Sequence, residues 1–154
     1  MDKGQVNKRE LVQGLIRDIR QDLEGYSQLK SMLKYQRELM QRTDNQGLTA
    51  HNARQTALCN KLALRAKQRS DSLTTLGFKG DNSGMKRLIS ALPDHLRSQI
   101  KLQWDNLQLS VKDCQQANEV NGRLLVMQQE TLNHLLYPDS QHQQIDYGAS
   151  HPNR

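Results

Sequence analysis

Cysteine, proline, aromatic residues and long apolar runs are all scarce in this chain of 154 residues. Its two cysteines, Cys59 and Cys114, have no second Cys or His at metal-ligand spacing. That argues against a zinc site and against a disulfide framework, and both are expected as small apolar residues on helix faces. The longest apolar run toward the C-terminus is Leu124-Leu125-Val126-Met127, far short of the roughly 18 residues that span a bilayer, so membrane insertion is not expected. No apolar stretch follows Met1-Asp2-Lys3-Gly4-Gln5, so no secretory signal is expected and the expected location is cytoplasmic. With 35% hydrophobic and 4% aromatic residues, a wide multilayered core is not expected. What apolar material there is must line narrow seams.

Its kind is informative. There are 23 Leu against 10 Val plus Ile, with 19 Gln, a choice that favours helices over sheets, and the three prolines stand at 93, 138 and 152. Val12, Ile16, Ile19, Leu23, Tyr26, Leu29, Leu33 and Met40 follow steps of three and four with a gap at Gln36, a helical stripe of coiled-coil type. Arg42 to Gly47 breaks it with cap and turn residues. A second stripe runs through Leu48, Leu58, Leu62, Leu73 and Leu76, but its register passes through Gln55, Arg65 and Arg69. This helix is weakly apolar in its middle and must rely on neighbours. Gly77 to Gly84 reads as a loop, Ser83 or Asn82 as the cap of a short helix, and Pro93 as part of the first turn of the next one. From there Leu96, Ile100, Trp104, Leu107, Val111, Cys114, Asn118, Asn121, Leu125, Gln128, Leu132 and Leu135 make the longest regular stripe.

A helix over 93–136 would be about 66 Å long, too long for a compact globule of this size. The expectation is therefore an all-α fold: long antiparallel helices (6–42, 47–76, 85–91 and 93–136) in an elongated three-helix, coiled-coil-like bundle over 1–137, with a flexible tail over 138–154.

Enzyme chemistry finds little to stand on. The histidines at 51, 95, 134, 142 and 151 are scattered, and no nucleophile elbow, phosphate loop or paired carboxylates appear, so neither catalysis nor a cofactor is expected. Asp18 and Asp22 are one turn apart but flanked by Arg17 and Arg20, which reads as a solvated charged face. The net charge of +6 is uneven, with six Lys/Arg against two Asp/Glu over 45–84. Lys61, Arg65, Lys67 and Arg69 could follow a phosphate backbone, yet the segment has no aromatics for base stacking. A solvated helix face whose Arg stems cover a thin core is the favoured reading, with a basic coiled coil on nucleic acid as the runner-up.

The main anomaly is polar. Asn118 and Asn121 share by spacing the face of Cys114 and Leu125, and Gly122 follows at once. A buried Asn lowers coiled-coil stability while fixing register, and Gly inside a helix costs up to about 1 kcal/mol relative to Ala. Either this is a tolerated polar layer, or it marks a groove for another helix. Beyond it lie two apolar edges, Leu125, Leu132 and Leu135 on one and Leu124, Met127 and Leu136 beside it, more than one helix seam needs. A partner's helix, the chain's own first helix or a second copy of the chain would each account for that surplus, and monomer or homodimer stays open.

Trp104, thirteen residues, then Asn118-Glu119-Val120-Asn121-Gly122-Arg123-Leu124-Leu125, and later Tyr147-Gly148-Ala149 in a polar tail, resemble the FlgN family over roughly 90–150. The resemblance implies a small cytosolic helical chaperone that binds the C-terminal amphipathic segments of the hook-filament junction proteins FlgK and FlgL of the bacterial flagellum. It would keep them unassembled and bring them to the type III export apparatus. It further implies that cargo meets the last helix around Asn118, Asn121, Gly122, Leu124, Leu125, Gln128, Leu132 and Leu135, and that Tyr147 contacts the export-gate protein FlhA.

Overall fold

The computed structural model describes residues 3–136, apart from the side chains of residues 3–7 and of Leu132; the tail expected over 138–154 lies outside the described residues. Four helices and no strand are present among them: α1 (Lys3–Gln41), α2 (Asn45–Thr75), α3 (Asn82–Ser90) and α4 (Asp94–Leu136). The fold is all-α, with three long helices and one short one. The chain divides into two compact units, Met1–Ala117 and Asn118–Arg154. In the first, α1, α2, α3 and α4 up to Ala117 pack as a bundle.

Local chemistry sets the helix ends. At the end of α1 the Asp44 N–H donates to Leu39 O and the Thr43 N–H to Met40 O; at the end of α2, Phe78 donates to Leu73 O and Gly77 to Thr74 O. Both are the Schellman pattern, which needs a left-handed residue after the last turn. Gly77 supplies it at φ 91°, whereas the first helix uses a β-branched residue, Thr43, at φ 53°. Asp44 then caps α2 by accepting from the Gly47 N–H at 2.9 Å. The cap of α3 is Asp81 and not Ser83 or Asn82 as expected: its carboxylate accepts from the Gly84 N–H at 3.0 Å and the Ser83 hydroxyl at 2.8 Å, bonds that hold its pKa below the usual 3.8. Carboxylate outranks hydroxyl here because an anion also suits the positive end of the helix. Pro93 stands just before α4 and its carbonyl accepts the first turn's N–H groups from Leu96 and Arg97.

α1 and α2 form an antiparallel hairpin. They approach so closely at Gly25 that a Cβ there would lie 2.8 Å from Leu62 Cδ2 and 3.1 Å from Arg65 Nη2. α4 runs beside α1 in the same direction, with Lys30 paired to Asp113 at 3.0 Å. One apolar cluster gathers Leu15 and Ile19 of α1, Leu73 of α2, Met85, Leu88 and Ile89 of α3, and Ile100, Trp104 and Leu107 of α4. A smaller one joins Leu29, Leu33, Leu62 and Cys114. Cys114 is thus a small core residue, and burial pushes its thiol pKa up; Cys59 lies on an exposed face of α2.

Asp22 lies in the sequence between the α1 residues of these two clusters, and it overturns the solvated-face reading. It is fully buried, and Arg65 Nε and Arg69 Nη1 donate to its two carboxylate oxygens at 2.6 and 2.7 Å. The Arg69 guanidinium also lies 5.4 Å from the Trp104 ring centre, and Trp104 Nε1 donates to Asn82 Oδ1 at 2.7 Å. One polar chain thereby links all four helices. Arg65 and Arg69 are not a solvated face either; they occupy the α2 seam because an anion faces them. At the hairpin's other end, His51 is buried with Nε2 2.8 Å from Met32 O, so Nε2 carries the hydrogen, and Gln36 Nε2 donates to Asn52 Oδ1 at 2.8 Å.

Two predictions follow from this seam. Asp22→Ala leaves two arginines facing each other in a largely dry site, and urea unfolding is expected to show a loss of about 3–5 kcal/mol; a loss under about 1 kcal/mol would mean that water replaces the carboxylate. Asp18 has its pKa raised above 3.8, by burial first and by the Asp22 charge second. A carboxyl raised in the folded state destabilises it at pH values above the folded pKa, and the penalty disappears as pH falls toward the unfolded value. Asp18→Asn is therefore expected to be more stable than the parent at neutral pH, with the gap closing as pH approaches 3.8. A pH-independent gap contradicts the assignment.

Candidate functional site

Residues 118–136 of α4 form the described part of the second unit. Leu, Gln, Glu, Arg and Met dominate them, all good helix formers, so the helix persists through Gly122. Its least exposed line is Asn121, Leu124 and Gln128. Asn121 is 3% exposed, while Asn118 points to solvent. The expected common face of the two asparagines is therefore not formed. Ala117, packed against the smaller core cluster, takes the place the sequence pattern assigned to Asn118. An alanine can be buried at no polar cost, whereas a second amide would need its own hydrogen-bond partners.

Gly122 is exposed, and a Cβ on it would meet nothing within 4 Å. Among the described residues nothing presses close there. The glycine leaves a notch in the helix surface, and Glu119, Gly122, Arg123, Val126 and Met127 line a shallow depression around it.

The apolar surplus is on the surface in two edges. Leu125 is 43% exposed and Leu135 74%, making one edge with the position of Leu132, whose side chain is outside the described residues; Leu136, 58% exposed, joins this edge and not that of Leu124 and Met127 as expected, because it lies one turn after position 132 and three turns after Leu125. Val126 and Met127, 51% and 62% exposed, belong to the other. Of the residues expected to meet cargo, Leu125 and Leu135 are accessible apolar groups, Asn118 and Gly122 are exposed beside them, Leu124 and Gln128 are half-buried, and Asn121 is buried. Tyr147 lies outside the described residues. Val126 was not singled out from the sequence, because it falls off the stripe that continues from Cys114; its adjacency to Met127 was the available signal. Leu102 and Leu109 are also exposed on α4 within the first unit.

Trp104, the first element of the family-like pattern, is only 4% exposed and spends its indole N–H on Asn82, so here it holds the bundle together. Among the described residues no three His, Cys, Asp or Glu side chains gather to hold a metal ion, and no helix is long and apolar enough to cross a membrane.

Comparison with known proteins gives one family. Nothing among curated proteins or solved structures matches the chain. The family described as FlgN protein matches residues 1–142, which takes in all four helices and ends before Tyr147-Gly148-Ala149. By this match the chain belongs to the FlgN family, a family of flagellar export chaperones.

Proposed function

We propose that this chain is the cytoplasmic export chaperone of the hook-filament junction proteins FlgK and FlgL. It holds their C-terminal amphipathic helices on α4, keeps them from assembling prematurely, and brings them to the export gate through contact of Tyr147 with FlhA. The observation that supports this most is the Leu125–Leu135–Leu136 edge, exposed on a chain otherwise short of apolar residues. Covering three or four such leucines contributes about 1.5–3 kcal/mol each, a gross gain that ordering costs reduce to moderate affinity. A helix held that way can be released again, as delivery requires.

The nucleic-acid reading loses ground on a specific point. Of the four cations at 61–69, Arg65 and Arg69 are engaged by Asp22, which leaves Lys61 and Lys67 for a polyanion.

Calorimetric titration with the C-terminal segments of FlgK and FlgL tests the proposal. Binding to one or both is expected, and a well-folded sample that binds neither sinks it. Leu125→Asp, which alters an exposed position and should leave the helical spectrum intact, is expected to weaken binding by at least about tenfold, the loss of one buried leucine. Tyr147→Ala is expected to leave cargo affinity unchanged and to impair export in cells; normal swimming of that strain would remove the gate-docking role.

A further inference from the structure

The second edge of residues 118–136 carries a pattern that cargo binding does not use. Glu119, Arg123, Val126, Met127, Glu130 and His134 are all exposed. At 3.6 residues per turn they fall within roughly 100° of arc on one side of the helix. None of the four polar members has an ion-pair partner among the described residues, although Glu119 and Arg123 are spaced for one along the helix. Earlier in α4, by contrast, Asp94, Arg97, Lys101, Asp105 and Asp113 are all paired.

The order of these residues is self-complementary about the midpoint between Val126 and Met127. Arg123 lies three positions before Val126 and Glu130 three after Met127; Glu119 lies seven before and His134 seven after. A two-fold axis through that midpoint sets a second α4 antiparallel to the first. It brings each Arg123 opposite a Glu130 and each Glu119 opposite a His134, with Val126 and Met127 at the centre. An isologous contact requires a surface that is its own complement, and this stripe is one.

We propose that this chain self-associates as an antiparallel dimer through the Glu119–His134 stripe of α4, with a second copy of the same chain as the occupant. The contact is independent of the Leu125 edge and of the cargo reading. One helix stripe buries less than a standard interface of about 1,200–2,000 Å², so the association is weak and reversible.

Sedimentation equilibrium of the full chain up to about 1 mM tests it, within the range expected of small transient contacts. Concentration-dependent dimerisation is expected. Arg123→Glu alone and Glu130→Arg alone each set like charges opposite one another at two symmetry-related places, and each is expected to weaken self-association about tenfold. Mixing the two variants restores attraction at both places, so a heterodimer is expected to form with the parent's affinity. A strictly monomeric parent overturns the proposal, as does a dimer indifferent to both substitutions or a mixture no tighter than its components. Leu125→Asp, on the other edge, is expected to leave the dimer intact, so loss of cargo binding and loss of dimerisation are read separately.

Discussion

Asp22 is the constraint on which the bundle turns. A carboxylate taken fully out of water costs several kcal/mol unless cations and hydrogen bonds meet it, and here two arginines from the facing helix do so. The requirement propagates. Arg65 and Arg69 can reach Asp22 only if α1 and α2 are in one register and closely apposed, which is why the crossing point is a glycine. Arg69 then lies over Trp104, and Trp104 finds its hydrogen-bond acceptor on α3. A bundle of leucine seams alone could slide by a turn with little loss; one that must bring two guanidinium groups onto one carboxylate cannot.

That arrangement suits a chain with little apolar material. The first unit is held by two modest clusters and by polar links between helices, and so leaves leucines of α4 uncommitted. In the proposed function such a surface gives an amphipathic cargo helix something to lie on without hiding it beyond release. The two edges of residues 118–136 differ in chemistry. One is plain leucine; the other alternates charge around a small apolar centre.

Helices and seams were legible because leucine spacing reports them directly. The buried ion cluster was not. Counting apolar residues on α1 selects Ile16 and Leu23, whereas the deepest row is Leu15, Ile19, Asp22, Leu29 and Leu33, in which an aspartate fills an apolar position. The signal was on the other helix: two arginines one turn apart in the α2 seam demand an anion opposite. Asn118 falls on the seam by spacing from Cys114, yet the residue packed there is its neighbour Ala117. Within the site, the leucine edge was visible as a surplus, while the depth of Asn121 and the openness around Gly122 depend on how the helix is turned, which periodicity leaves free by a residue.

The two cysteines, so alike in the sequence, end up in opposite circumstances. Cys59 meets solvent, and Cys114 is packed under α1 with its thiol donating to Tyr26 O at 3.5 Å and its ionisation suppressed by burial. Thiolate, not thiol, is what reacts with electrophiles. The bundle therefore contains two built-in clocks: alkylation of Cys59 runs on the time of simple encounter, and alkylation of Cys114 runs on the time at which α4 lifts from α1.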